Sequence, residues 1–112
     1  MKSIFNILLL SSLISIASTL AFGADKNKTL IIFSADWCGA CQKYKHDAIN
    51  SIELSEVIKN YEIVDVDFDV DKDIVSGYNI KTIPAFVVFE NTVETGRKIG
   101  YKNPRDLIRF LK

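Results

Sequence analysis

Two cysteines separated by two residues, Cys38 and Cys41, constrain the fold of this chain more than any other feature. They closely follow "TLIIFS", residues 29–34, whose β-branched and aromatic side chains are typical of a buried strand. The residues after them carry apolar side chains at helical spacing. A disulfide between such close cysteines restrains little of the unfolded chain, so a purely structural crosslink is disfavoured. The sequence therefore predicts a strand that leads into a cysteine pair at the start of a helix.

The N-terminal segment differs in composition from the rest of the 112-residue chain. Lys2 precedes an apolar stretch with interspersed serines, and small residues near position 23 are followed by an abrupt charged run. This order is typical of a secretory signal peptide, which we assign to residues 1–23 with cleavage within 21–24. An uncleaved membrane anchor is the alternative, because about 20 apolar residues can span a bilayer. We expect residues 24–112 to form one exported domain, located in a bacterial periplasm.

Apolar spacing predicts helices and then a strand after the cysteines. The helix should break near Asn50 or Ser51, where a second helical piece begins. The segment 61–70 alternates between apolar and acidic residues, which indicates a strand. One face of this strand should hold Val64, Val66, Phe68 and Val70, and the other Asp65, Asp67 and Asp69.

A hairpin is predicted in the second half of the chain. A short helix over residues 72–78 should precede a buried strand over 85–90, which follows a proline. The dipeptide Asn91-Thr92 is a modest turn signal, after which residues 93–99 return as an edge strand with a bulge at Gly96. Asn103 and Pro104 predict the cap and first position of a last helix, with Leu107, Ile108 and Leu111 on its buried face.

The position of the cysteines at a helix start predicts a redox role. The unpaired N–H groups and the helix dipole at this terminus stabilise a thiolate on Cys38. Cys41 lies one turn later on the same face, where it can resolve a mixed disulfide formed by Cys38. Zinc or copper binding is disfavoured, since His46 is about 12 Å along the helix from Cys38 and Met1 leaves with the signal peptide. The zero formal net charge and scattered basic residues indicate no nucleic-acid partner.

Three segments together resemble the thioredoxin superfamily, and the resemblance covers nearly all of residues 24–112. These are "FSADWCGAC" around Cys38, "IKTIPAFVVF" around Pro84, and "KIGY" at the end of the last strand. The first segment is similar to that of exported thioredoxin-like reductases, such as the periplasmic C-terminal thioredoxin domain of the transmembrane thiol–disulfide interchange protein. The resemblance implies an α/β thioredoxin fold with a four-stranded mixed sheet in the order 2-1-3-4. We expect it to lack the extra N-terminal strand of full thioredoxins.

The resemblance also implies roles for individual residues. Cys38 would attack and Cys41 would resolve, while Trp37 would cover the site and offer apolar contact to partners. Pro84 would follow a cis peptide bond, and Ile83 would offer backbone hydrogen bonds to an extended partner segment. Gly39 and Ala40 separate the cysteines where thioredoxins more often carry Gly-Pro, which leaves the redox potential open.

Two positions depart from the family pattern near the cysteines. Ile32 stands where thioredoxins usually carry a buried acid, and Asp65 replaces a lysine on the next strand. One hypothesis is that Asp65 exchanges a proton with Cys41. The alternative, which we favour from the alternation of this strand, is a solvated acidic face.

The expected function is reduction of disulfides in partner proteins by a monomer, without a cofactor other than the Cys38–Cys41 pair. An upstream electron donor, expected to be membrane-bound, would regenerate the dithiol. Oxidation or isomerisation of disulfides is the alternative within the same class. A non-catalytic binding module with the same fold is the alternative from another class.

Overall fold

The central strand of the sheet, β1 (Lys28–Ser34), is the short apolar run that precedes the cysteines. In this computed structural model, which describes residues 27–112, β1 pairs in parallel with one neighbour and antiparallel with the other. The sheet has the predicted order β2-β1-β3-β4. The predicted signal peptide lies outside the described residues, and within residues 27–112 no helix is long and apolar enough to cross a membrane.

The remaining elements follow the predicted order along the chain. The strands are β2 (Glu62–Asp67), β3 (Ala85–Glu90) and β4 (Val93–Ile99), and the helices are α1 (Gly39–Asn50), α2 (Ile52–Ile58), α3 (Lys72–Gly77) and α4 (Pro104–Leu111). The predicted helix break is confirmed at Ser51, whose N–H donates to the Asp47 carbonyl while its hydroxyl accepts the N–H of Leu54. The predicted cap of α4 is confirmed as well, because Asn103 accepts the N–H of Asp106 at 2.9 Å.

The alternating residues of β1 divide the core into two sides. Leu30 and Ile32 face the side covered by α1, α2 and α4, whereas Ile31 and Phe33 face the side beneath α3. The first side is the larger one, and it buries Tyr44, Leu54, Tyr61, Phe86, Val88, Leu107, Ile108 and Leu111. The second side buries Val66, Ile80, Ala85 and Val87. The helix that begins at the cysteines, α1, therefore packs on the side of the sheet that has the larger core.

The predicted strand over residues 61–70 is too long. It ends at Asp67, because the Asp67 carboxylate accepts the N–H groups of Asp69 and Val70 and turns the chain. The predicted apolar face is therefore wrong at Val70, which lies in the turn and is 73% exposed. Val64 and Val66 share one face of β2 as predicted, but Val66 is buried and Val64, on a strand at the edge of the described sheet, is 40% exposed.

The hairpin forms as predicted, except that the bulge lies beside Gly96 and not at it. Val88 pairs with Gly96 and Phe89 with Glu94, which leaves Thr95 as the extra residue. Gly96 has a packing role, since a Cβ atom there would lie 3.3 Å from the ring of Phe110. The small residue lets α4 approach β4 closely.

Candidate active site

Cys38 and Cys41 lie at the N-terminus of α1 and are joined by a disulfide, with their Cα atoms 5.2 Å apart. Cys38 is the N-cap residue, and its Sγ accepts the backbone N–H of Cys41 at 3.1 Å. The residue Cys38 is 6% exposed, whereas Cys41 is fully buried. A partner can therefore reach Cys38 first, and the N–H that meets its sulfur would also stabilise a thiolate there.

A tight turn between β1 and α1 places this pair. The chain leaves β1 at Ser34, and the N–H of Cys38 donates to the carbonyl of Ala35 at 3.2 Å. Gly39 and Ala40 are the first two residues of α1 and are exposed. A Cβ atom at position 39 would lie more than 4 Å from any atom beyond its chain neighbours and the backbone of its own helix, so Gly39 has open space around it.

Trp37 projects from this turn with 67% of its surface exposed. Its indole N–H donates to the carboxylate of Asp69 at 2.8 Å. The turn after β2 presents this acceptor, because Asp67 accepts the N–H of Asp69 and the N–H of Phe68 donates to the carbonyl of Ser34. The alternating pattern predicts Asp69 on the acidic face of a strand, and nothing in that pattern distinguishes it from Asp65 and Asp67.

Pro84 lies at the same end of the sheet as the cysteines. It directly precedes β3, which runs antiparallel to β1, so the start of β3 lies at the end of β1. The Ile83–Pro84 peptide bond is cis, as the resemblance predicts, and Pro84 is buried beside a half-buried Ile83. The carbonyl of Pro84 accepts the N–H of Gly100 at 2.7 Å. Gly100 has a φ of +89°, a conformation that favours glycine.

Asp65 lies on the side of the sheet that α1 covers. It pairs in register with Ile32, so both side chains point to that side, where Ile32 belongs to the core. Asp65 itself is exposed and lines a cavity of about 580 Å³ with Tyr44 of α1. Burial, and secondarily the charge of Asp65, raises the pKa of Tyr44 to about 12. The acid thus lies next to the helix of the cysteines rather than on a face remote from it.

The sequence profile of the thioredoxin family matches residues 18–112. The chain belongs to the thioredoxin family. A thioredoxin of Mycoplasma genitalium is 37% identical over 83 residues, which cover 71% of this chain and 74% of that protein. Together with the close cysteine pair, this relationship makes the protein a thiol–disulfide oxidoreductase.

Solved structures give the same fold. Mitochondrial thioredoxin 3 of Saccharomyces cerevisiae, in its oxidised form, is similar with a TM-score of 0.65 and 27% identity over 77% of each chain. A thioredoxin-fold protein from Helicobacter pylori has a TM-score of 0.71 at 19% identity, covering 78% of this chain and 67% of that one. The narrower resemblance to the periplasmic domain of the interchange protein stays a prediction.

This thioredoxin-family protein carries a further polar cluster that no pattern in its sequence indicates. Tyr101, two residues after β4, donates its hydroxyl to the Asp47 carboxylate of α1 at 2.7 Å. The rings of Tyr101 and Tyr44 pack against each other. His46 is exposed, with 73% of its side chain accessible. Among residues 27–112, no three His, Cys, Asp or Glu side chains are placed to hold a metal ion.

Proposed function

We propose that this thioredoxin-family protein is exported and reduces disulfides in partner proteins, using the Cys38–Cys41 pair without any other cofactor. A single observation carries this proposal. The more accessible sulfur, that of Cys38, accepts a helix N-terminal N–H group, while Cys41 is buried one turn away. This arrangement gives the two cysteines different roles, an attacking thiolate and a resolving thiol. A structural crosslink does not need such a difference between its two sulfurs.

The reaction consists of two exchanges. The Cys38 thiolate of the reduced protein attacks one sulfur of the partner disulfide, and the other partner sulfur leaves as a thiolate. Cys41, once deprotonated, then attacks the Sγ of Cys38 and releases the second partner thiolate. The partner has gained two electrons, and the protein carries the Cys38–Cys41 disulfide seen in the structure. A dithiol donor, which we propose to be membrane-bound, then reduces the Cys38–Cys41 disulfide back to the dithiol.

The partner polypeptide should bind between Trp37 and Pro84. Trp37 offers an exposed apolar ring. The cis Ile83–Pro84 segment directly precedes β3, which starts at the end of the sheet where the cysteines lie. In this proposal the backbone of Ile83 forms hydrogen bonds with an extended segment of the partner, and Gly39 and Ala40 line the approach. Thioredoxins act on disulfide-containing partner proteins, which supports a protein disulfide as the substrate.

Reduction of insulin tests the activity. The purified protein should accelerate precipitation of insulin by dithiothreitol, and Cys38→Ser should reduce the rate to that of dithiothreitol alone. A wild-type protein that leaves the rate unchanged while folded would instead indicate a non-catalytic binding module. Circular dichroism of both proteins confirms that each is folded during the assay.

The redox potential tests the direction of electron flow. We expect a value near the roughly −270 mV of thioredoxin, measured by equilibration with a thiol–disulfide buffer. A value near about −120 mV, typical of a strong disulfide oxidant of this fold, would favour disulfide formation or isomerisation instead.

Asp65 is our candidate acceptor for the proton of Cys41. Its support is its position on the side of the sheet covered by α1, next to Tyr44. Asp65→Asn should shift the pH dependence of the second exchange, with Asp73→Asn, an exposed acid of α3, as the control. An unchanged pH profile would leave Asp65 as a solvated surface residue, which its exposure also permits.

Export rests on the composition of residues 1–23 and needs a separate test. Expression of the full chain in a bacterium, followed by fractionation and N-terminal sequencing, should give a periplasmic product that begins within residues 22–24. A full-length product in the membrane fraction would indicate an uncleaved anchor. Size-exclusion chromatography of the released protein tests the expected monomer.

A further inference from the structure

The loop after β4 is attached to both parts of the active site. Through its backbone, Gly100 donates its N–H to the carbonyl of Pro84 at 2.7 Å. Through its side chain, the next residue, Tyr101, donates its hydroxyl to Asp47 in the third turn of α1 at 2.7 Å. Two consecutive residues therefore connect the cis-proline segment to the helix that begins at the cysteines.

The attachment to α1 combines several contacts. The Lys43 ammonium forms an ion pair with Asp47 at 3.1 Å and lies 5.4 Å from the centre of the Tyr101 ring. The Tyr101 ring also meets the ring of Tyr44 edge to face, with centroids 5.6 Å apart. The hydrogen bond from Tyr101 is the largest of several contacts that lower the pKa of Asp47. We call Tyr101, Asp47 and Lys43 the helix brace.

The packing beneath the helix brace leads back to the cis-proline segment. Tyr44 contacts Phe86 edge to face, with centroids 5.2 Å apart, and Phe86 lies two residues after Pro84. Tyr44 is itself one turn after Cys41 on α1. The helix brace therefore closes a ring of contacts from α1 through β3 and Gly100 back to α1.

We propose that Tyr101 and Asp47 are positioning residues that hold α1 at a fixed distance from the Pro84 segment. This inference rests on the proposed binding of a partner polypeptide along Ile83–Pro84. A thiolate must approach a disulfide along the axis of the bond that breaks, so small misplacements slow exchange. A protein disulfide held at Pro84 cannot reorient toward Cys38, whereas a small free disulfide can. The helix brace should therefore matter for protein disulfides and not for small ones.

Tyr101→Phe tests this proposal, because it keeps the ring on Tyr44 and removes only the hydroxyl. Tyr61→Phe is the matched control, since the Tyr61 hydroxyl donates to the carbonyl of Leu111 at 2.6 Å, away from the cysteines. Each reduced protein is assayed with insulin and with 5,5′-dithiobis(2-nitrobenzoic acid). Tyr101→Phe should lower kcat for insulin about fivefold, the equivalent of one hydrogen bond, with the KM and the rate with the small disulfide unchanged.

Asp47→Ala and the double variant complete the test. If the two residues act through one contact, Asp47→Ala and Asp47→Ala/Tyr101→Phe should lower kcat for insulin equally. Equal losses with both disulfides, equal effects of Tyr61→Phe, or no change in Tyr101→Phe would each overturn the positioning role. A wild-type protein inactive with insulin but active with the small disulfide would instead contradict the proposed function. Circular dichroism at the assay temperature ensures that only folded protein is compared.

Discussion

A tyrosine hydroxyl donates a hydrogen bond at each end of the sheet, but the two acceptors differ. At the site end, where β1 and β4 finish and β3 begins, the Tyr101 hydroxyl donates to the carboxylate of Asp47. At the opposite end, where β1 begins, the Tyr61 hydroxyl donates to the backbone carbonyl of Leu111. One tyrosine thus binds an ionised side chain and the other binds the main chain.

One further contact at each end fits this comparison. At the opposite end, the N–H of Asn91 in the hairpin donates to the carbonyl of Asn27 at 2.7 Å. At the site end, the indole of Trp37 donates to the carboxylate of Asp69. Main-chain acceptors are available in any sequence that adopts the fold, whereas carboxylates depend on particular residues. We infer that the opposite end maintains the fold and the site end arranges the groups around the cysteines.

The largest expected effect is the loss of turnover when a cysteine at the site end is replaced. Cys41→Ser should stop turnover, because the mixed disulfide between Cys38 and the partner can no longer be resolved. A covalent complex should accumulate and be visible on a non-reducing gel. Cys38→Ser/Cys41→Ser is the control and should give no complex, and a complex formed by it would contradict the assignment of Cys38.

Removal of the Asp69 carboxylate, which accepts the indole N–H of Trp37, should have the next largest effect on insulin reduction. Asp69→Ala should raise the KM for insulin about fivefold, because the indole is no longer held beside the cysteines. Trp37 is the only tryptophan, so its fluorescence reports the change directly. Asp69→Asn retains a side-chain oxygen acceptor, so its KM for insulin should be close to that of the wild type. Identical KM values in all three proteins would remove Asp69 from the site.

A change at the opposite end should affect stability alone. Tyr61→Phe removes a buried hydrogen bond and should lower the free energy of unfolding by about 1 kcal/mol. Urea unfolding followed by circular dichroism measures this loss. Insulin reduction by the folded variant should match the wild type, and a slower reaction would show that the two ends are coupled.

The smallest expected effect is on the pH dependence of stability. The pKa of Asp47 is lowered, first by the hydrogen bond from Tyr101, so this carboxylate stabilises the fold above its unfolded pKa of about 3.9. That contribution is lost as the pH falls through the lower pKa of the folded state. Between about pH 5 and pH 2, Tyr101→Phe should therefore lose less stability than the wild type in urea unfolding. Parallel curves would contradict the role of Tyr101 in stabilising the charge.

Much of the fold could be predicted, because its signals are local. The helix break at Ser51 and the start of α4 depend on side chains that cap their own helices, and both positions were predicted correctly. The strand over residues 61–70 was predicted too long, because alternation continues into a turn. The Asp67 carboxylate stops the strand there by binding two N–H groups, and the sequence pattern does not distinguish such an aspartate from a solvated one.

The sequence by itself determined the cysteine pair, the strand before it and the helix that it begins, since these depend on neighbours in the chain. It also indicated, through the resemblance to thioredoxins, that Pro84 belongs near the pair. Only the tertiary structure decided that Asp69 binds Trp37 and that Tyr101 binds Asp47, contacts that span 32 and 54 residues. Such pairs leave no periodic signal, because each forms only where the folded sheet brings two distant loops or helices to one end.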